Sequence, residues 1–367
     1  MRETDVLIVG AGPIGLEVAA GLQRAGVSYA HVEAGQVGAT FGWWAPHTRF
    51  FSSPERLAIC GVPIPSVDQG KITGEEYQAY LREIVRQFGL EVRRYRRVVG
   101  VRREGEVFVV RTERSTHGVG GKEEMGRDER GFRGPARAGE GEEHRARRVV
   151  LAIGNMHRPR MLGVAGERLE HVSHYFEGPH KYFGTRVLIV GGKNSAVEAA
   201  LRCWRAGARV TVSYRGERFD EQRVKYWLRP EIEWLVEKGE IGWLPRTVVR
   251  EIRDGCVVLG DASGRGRATE IETDFVLLMT GYVQDPSLFG AFGVALEGPE
   301  RRPAHDPRTM ETNVAGVYVA GTACGGSQER ARFFIENTHV HADRIVRAVT
   351  GTGGATQAPE FGALEES

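Results

Sequence analysis

Residues Asp5–Glu33 read DVLIVGAGPIGLEVAAGLQRAGVSYAHVE, and the organisation of the chain follows from them. Val6 to Val9 is a short apolar run, the pattern of a strand buried on both faces. Gly10, Gly12 and Gly15 follow at G-x-G-x-x-G spacing, with Pro13 and Ile14 between them, and open an alanine-rich helical pattern from Leu16 to Ala25. Gly26 ends that pattern, and Tyr29 to Val32 reads as a second strand finishing at Glu33. The spacing has a mechanism: Gly10 allows the tight turn, Gly12 lets the backbone approach a diphosphate, and Gly15 lets the helix pack on the strand. The helix N-terminus attracts the phosphate charge. An acid at Glu33 accepts from ribose hydroxyls and favours a free 2′-OH, as in FAD or NAD.

The unit recurs at Val187–Arg218, VLIVGGKNSAVEAALRCWRAGARVTVSYRGER. Gly191 and Gly192 make the turn, Lys193, Asn194 and Ser195 lead into the helix, and Ala196 stands where close helix packing is needed. The acid position now carries Tyr214-Arg215, with Arg218 close behind. A guanidinium there pairs with a 2′-phosphate, so NADPH is expected. Lys193 replaces the second glycine of the fingerprint and either contacts the phosphates or crowds them. The fold class is α/β: two Rossmann-like dinucleotide-binding domains of the three-layer ββα type. A discontinuous FAD domain, 1–160 and 285–350, would flank an NADPH domain, 161–284.

Between these units the segment after Glu33 is rich in Gly and aromatics and reads as a long ordered loop, with Trp43, Trp44, His47, Phe50 and Phe51 either lining a ligand ring or packing the loop. Thr73, with Glu76 three residues on, caps a helix to Phe88. Val98–Val101 and Val107–Thr112 suggest a β-meander, with backbone near Val98 against an adenine. Residues 113–147 mix Gly, Arg and Glu and read as a disordered insertion. Strand ends at Gly154 and Gly281 mark crossings between the domains. Glu251–Leu259 and Thr269–Leu278 read as strands of the second domain. Gly316–Gly321 returns to the first and delivers Gly321 and Thr322 to the flavin. A helix Arg332–Ala348 follows, with Phe333, Phe334, Ile335 and Val340 inward, then a disordered tail, 351–367.

Composition sets bounds. The 367 residues are 41% hydrophobic and 27% charged, with a formal net charge of only +2, so no broad basic face argues for nucleic acid. No apolar run approaches a membrane span, and the N-terminus enters a strand at once, so neither a signal peptide nor a membrane partner is expected. Cys60, Cys203, Cys256 and Cys324 are scattered without zinc spacing, and His339 and His341, two apart on a helix, face different ways; no metal is expected and a cytoplasmic location is. Homo-oligomerisation is left open.

The chain resembles the two-dinucleotide-domain flavoproteins of the thioredoxin reductase-like superfamily and, within it, the bacillithiol disulfide reductase family. The resemblance is carried by Phe51-Ser-Ser-Pro-Glu-Arg-Leu57, His174-Tyr-Phe176, Gly191-Gly-Lys-Asn-Ser-Ala196, Met279-Thr-Gly-Tyr282, Met310-Glu-Thr-Asn-Val314 and Phe334-Ile-Glu-Asn337. It implies FAD, NADPH and a low-molecular-weight disulfide, or another electron acceptor, as substrate. The chain departs from the family at Ile14, where the family carries the cysteine expected to meet the substrate. Cys324 is the candidate substitute, or a small buried residue; His47, His174 and Lys225 are candidate partners for a leaving thiolate. No catalytic residue is assigned. A flavin monooxygenase and a non-turnover redox-responsive protein are the alternatives.

Overall fold

The apolar run after Asp5 becomes the centre of a parallel sheet. In the computed structural model, which describes residues 3–115, 141–328 and 332–351, strand β1 (Glu3–Val9) pairs in parallel with β2 (Tyr29–Val32) on one side and β6 (Glu142–Leu151) on the other. Val6, Leu7 and Ile8 are wholly buried, as an all-apolar strand covered on both faces must be. Between β1 and β2 runs helix α1 (Pro13–Arg24), which ends before Gly26 in the left-handed region. The closing strand, Val317–Val319, joins β6 in parallel.

Strand β6 does two jobs. Its apolar end, Val149–Leu151, lies in the parallel sheet, while its charged start pairs antiparallel with β5 (Val107–Arg114), which pairs with β4 (Arg96–Glu104). The expectation of disorder over 113–147 fails at both ends: Glu113 and Arg114 belong to β5, and Glu142–Arg147 to β6. Residues 116–140 lie outside the described residues. A run as polar as EEHRARR holds a strand because His144 and Ala146 turn inward, while its charges meet partners across the sheet. Arg102 pairs with Glu143 at 2.5 Å, Arg145 with Glu104 at 2.7 Å and Arg96 with Glu142 at 2.7 Å.

Helix α2 (Pro54–Leu57) is one turn in the ordered loop, and α3 (Gly74–Gln87) carries the expected cap: Thr73 Oγ1 accepts from Glu76 N–H, and Glu76 accepts from Thr73 N–H at 2.7 Å. Phe50 is buried against Phe41 and Tyr77 and so packs the loop. The helix expected over Arg332–Ala348 begins later, at His339, and runs to Thr350. Polar side chains divert the backbone before it: Asn337 accepts from Phe334 N–H at 2.8 Å and donates to Arg332, and Thr338 donates to Phe334 and Ile335 carbonyls. Its inner face is His341, Ala342 and Ile345, whereas Phe334 and Val340 are 45% and 36% exposed. Helix α1 packs on it so closely that a Cβ at Gly21 would lie 2.8 Å from Val346.

These elements make one unit, Met1–Trp43, His47–Arg158 and Tyr282–Ser367; the other is Trp44–Pro46 with Pro159–Gly281. The second unit shows the layering plainly. Arg186–Val190 sits in a parallel sheet between Arg209–Tyr214 and Phe275–Leu278, and its side chains alternate. Val187 and Ile189 pack on helix α4 (Asn194–Arg205) and α5 (Arg229–Glu237). Leu188 and Val190 pack on a three-stranded antiparallel meander, Thr247–Arg253, Cys256–Asp261 and Thr269–Glu272. Two expected strands are each split. Glu251–Leu259 breaks at Asp254-Gly255, a tight hairpin turn with Gly255 at φ 77°, and Thr269–Leu278 breaks where Thr273 bonds the Arg186 and Phe275 carbonyls. No helix among the described residues is long and apolar enough to cross a membrane.

The cap on α3 gives a direct stability test. Thr73→Ala should lower the unfolding free energy by about 1 kcal/mol, read as a shift in denaturant midpoint at unchanged slope.

Candidate dinucleotide sites

In the first unit the glycines are demanded by their neighbours. Gly10 has φ 106°, and a Cβ there would run into the carbonyl of Ala152, just past the end of β6; a Cβ on Gly15 would run into the carbonyl of Gly10. Gly12 differs: nothing lies within 4 Å of where its Cβ would be, so the backbone is open to a ligand. Pro13 starts α1, whose N-terminus has no side-chain cap and no acid in its first turn. The positive end of that helix is left for an anion.

Glu33 closes the same site. Its carboxylate accepts from Ala11 N–H and Gly35 N–H, both at 2.7 Å. Burial raises its pKa, and those donors oppose the rise. A carboxylate has about four lone-pair directions, so acceptor capacity remains for sugar hydroxyls. The Glu33 carbonyl takes Arg96 N–H at 2.7 Å, which sets Val98, buried two residues further along β4, at a bulge beside this edge. His31, which sequence reasoning passed over, is buried with Nε2 2.9 Å from the Gly10 carbonyl. Burial pushes its pKa down to about 4, so the neutral ring donates to that carbonyl.

The closing strand brings the remaining residues here. Gly321 has φ 69°, and its Cβ position lies 3.3 Å from Ile14, so the two turns touch. Gly154 has φ 72° with Thr322 Oγ1 3.9 Å from its Cβ position. Buried Gln284 donates to both the Gly154 and Ala323 carbonyls at 3.0 Å and ties the turns together. No sequence signal marked Gln284; a lone glutamine after a strand has none.

The second unit repeats the turn with different electrostatics. Gly191 has φ 143°, and a Cβ there would stand 2.5 Å from the Met279 carbonyl and 3.1 Å from Ala196. Gly192 serves another purpose than the turn: the Tyr214 ring lies on it, 2.5 Å from its Cβ position. Helix α4 also lacks a side-chain cap and an acid in its first turn, with Lys193 at the cap position. Asn194 is held by the 220–225 loop, its N–H donating to Arg223 and its Oδ1 accepting from Lys225 N–H at 2.6 Å; Ser195 is exposed. The Lys193 pKa is lowered by burial and then by Arg223, Arg215 and Arg160, with Asp220 opposing. Arg215 is exposed at the strand end. Arg160 is fixed by its backbone, N–H to the Gly281 carbonyl at 2.8 Å and carbonyl to Thr280 Oγ1 at 2.7 Å. Gly281 has φ 89°. Cations that repel one another around an uncapped helix start are the electrostatics of an anion site. Arg160 and Arg223 were legible only as members of an arginine-rich chain.

Of the other candidates, Lys225 and His174 are engaged by carboxylates. Lys225 is buried against Glu198 at 3.1 Å, and His174 is buried 3.3 Å from Glu167. His47 lies at φ 61° with its N–H on Glu75. All four cysteines are free thiols. Cys324 is buried with Sγ 3.7 Å from His341 Nδ1, the atom that also accepts Gly321 N–H. Burial pushes the Cys324 thiol far up, and those of Cys60 and Cys203 to about 12, so none of these three is poised as a thiolate. Among the described residues no group of His, Cys, Asp or Glu is arranged to hold a metal.

Two glycine turns on two Rossmann-type units, one ending in a carboxylate and one ringed by cations, define a class: flavoprotein oxidoreductases that use FAD and NADPH. The chain belongs to the pyridine nucleotide-disulphide oxidoreductase family, which matches residues 7–118 and 138–321. Bacilliredoxin reductase Bdr of Bacillus subtilis is 32% identical over 349 residues, 95% of this chain and 98% of that protein. The structure of bacillithiol disulfide reductase Bdr from Bacillus cereus is similar at TM-score 0.83 and 33% identity, covering 95% of this chain and 99% of the other. A ferredoxin–NADP reductase of Ignicoccus hospitalis is 29% identical over 86% of this chain and 89% of its own.

The thiol environments predict an order of reactivity. In the native protein a disulfide thiol reagent should modify Cys256 first, with Cys203 and Cys324 reacting only on unfolding. A native-state thiol that reacts in seconds and maps to Cys324 by peptide mass would contradict this.

Proposed function

We propose that the first unit holds FAD through Gly10, Gly12, Pro13, Ile14, Gly15, Glu33, Val98, Gly154, Gly321 and Thr322, and the second holds NADPH through Gly191, Gly192, Lys193, Asn194, Ser195, Arg215 and Gly281. The observation that carries this is the contrast between the Glu33 carboxylate, held by two amides at 2.7 Å, and the mutual repulsion of Lys193, Arg223, Arg215 and Arg160. Glu33 would accept from a free ribose and repel a 2′-phosphate. Arg215, aided by Arg223 and Lys193, would attract that phosphate; an Arg fork matches it in two bonds. The residues present fit both groups: Gly12 leaves its backbone open, and both helices lack caps and first-turn acids. A bound flavin would supply the carrier that takes a hydride equivalent from reduced nicotinamide and returns two electrons to an acceptor.

The acceptor we propose is a low-molecular-weight disulfide such as bacillithiol disulfide, the substrate in the name of the Bacillus cereus relative. One NADPH and one proton would yield two thiols. Ile14 offers no thiol at the first turn and the four cysteines form no pair, so reduction would proceed without a protein disulfide relay. The free thiols agree with a reducing, cytoplasmic setting. The same absence favours a second reading, an acceptor such as ferredoxin, named for the Ignicoccus hospitalis relative.

Anaerobic reduction of the flavin-loaded protein by NADPH, followed by a panel of disulfides, ferredoxin, quinones and oxygen, separates the readings. Reoxidation by bacillithiol disulfide is expected; failure with it and success with ferredoxin would move the protein to the second. Arg215→Ala should raise the KM for NADPH by about tenfold with little change for NADH. Equal effects on both would refute the 2′-phosphate assignment.

A further inference from the structure

Helix α1 carries one acid, Glu17, on the face toward the closing helix, and both of its carboxylate oxygens are engaged. Its Oε2 lies 2.8 Å from His339 Nδ1, and its Oε1 accepts from Cys60 N–H at 3.2 Å. The other ring nitrogen of His339, Nε2, lies 2.9 Å from the backbone carbonyl of Arg56. Both ring nitrogens therefore face acceptors. A neutral imidazole has one N–H and one lone pair, and would turn that lone pair on a carboxylate or a carbonyl; only the imidazolium, with two donors, satisfies both. His339 is mostly buried, its side chain 17% exposed and that of Glu17 14%, so the mismatch could not be relieved cheaply by water.

The brace spans three segments, one of them the helix that starts at the first glycine turn. Glu17 sits one turn into α1, whose start is the Gly12–Gly15 cradle. Arg56 and Cys60 belong to the loop after Ser53, where Cys60 at φ 57° and Gly61 at φ 77° form a strained bend. Tyr77 and Tyr80 hold that bend from α3, donating to the Leu57 carbonyl at 2.8 Å and to the Val62 carbonyl at 2.7 Å. His339 begins the closing helix, and two residues on His341 Nδ1 accepts the N–H of Gly321, the turn that touches Ile14. One cation thus joins the cradle helix, the bend and the helix that anchors the Gly321 turn.

We propose that His339 is a positioning residue for the first dinucleotide cradle, an imidazolium brace through Glu17 and the Arg56 carbonyl whose loss at higher pH loosens the grip of that cradle on its nucleotide. The positioning role rests on reading this cradle as the flavin site. The groups that face the ring agree with the sign. Glu17 from α1 and Glu336 from the turn before the closing helix favour the cation. Arg56 and Arg344 are basic, burial pushes the His341 pKa down to about 3 so that its ring is neutral, and the Cys60 and Tyr77 protons are held by burial far above neutrality. Burial works against charge on His339, yet Glu17, the Arg56 carbonyl and Glu336 outweigh it and raise its pKa above the ordinary histidine value. A group with a raised folded-state pKa contributes stability that is complete below the unfolded value and is lost as pH rises through the folded one. The loss therefore falls above the ordinary histidine value, as pH rises through the raised one.

Two measurements test this. In the flavin-free protein, the His339 ring nitrogens followed by nuclear magnetic resonance should report a doubly protonated ring that gives up its proton only above the ordinary histidine value. Flavin affinity, read by fluorescence quenching, should fall by about tenfold across that titration in the wild type. The fall should be absent in His339→Arg, which keeps a charge, and in His339→Gln, which should bind weakly at all pH values. A ring that titrates at or below the ordinary histidine value, or a wild-type affinity profile that superimposes on those of both variants, overturns the brace. Absence of flavin binding at every pH with the ring titration intact instead overturns the cradle reading, and the positioning role with it.

Discussion

The structure depends on one steric constraint met twice: a strand-end carbonyl pressed against the first glycine of a neighbouring turn. Ala152, just past β6, presses on Gly10, and Met279, just past Phe275–Leu278, presses on Gly191. No side chain fits between them, so the adjacent strand can close on the βαβ unit only where the residue is glycine. The same approach holds each helix start at the carboxyl end of the sheet, where its unmet amides face outward. Packing and ligand binding thus make the same demand on Gly10 and Gly191, while Gly12 is spared by its neighbours and left open.

On this shared frame, charge separates the two sites. The first turn ends in a carboxylate whose position is set by two backbone amides; the second ends in an arginine and gathers three more cations around its helix start. Each cation lowers the comfort of the next, a cost that a bound phosphate would relieve. The second unit can hold this arrangement because its own backbone fixes the cations. Arg160 is tied to Gly281 and Thr280, and the 220–225 loop is tied to Asn194.

Ile14 puts an aliphatic side chain rather than a thiol at the first glycine turn. Its side chain fills the space against Gly321 that lies between the two turns. Cys324 lies beside His341, whose Nδ1 also accepts Gly321 N–H, in a pocket that keeps the thiol protonated and the ring neutral. Burial of this kind makes a cysteine a packing residue.

Several features were legible without coordinates because they are local. The two glycine turns, the Thr73–Glu76 cap and the short apolar strands each depend on spacing within one segment, where sterics and hydrogen bonding act between near neighbours. Other readings failed where distant partners take over. Glu142–Arg147 reads as disordered by composition but is a strand, because Glu104, Arg96 and Arg102 neutralise its charges across the sheet. The helix expected from Arg332 starts only at His339, because Asn337 and Thr338 capture the preceding backbone. The Tyr214 ring on Gly192, the Gln284 bridge and the His339–Glu17 brace have no local signature at all, since each joins residues far apart in the chain. Sequence alone determined that two dinucleotide-binding βαβ units exist, and the sign of the charge ending each, because those depend on residue identity at fixed spacing. Only tertiary structure decided which cations surround Lys193, which thiols are silenced and which histidine must carry a proton, because solvent exclusion and partner geometry arise only when remote segments meet.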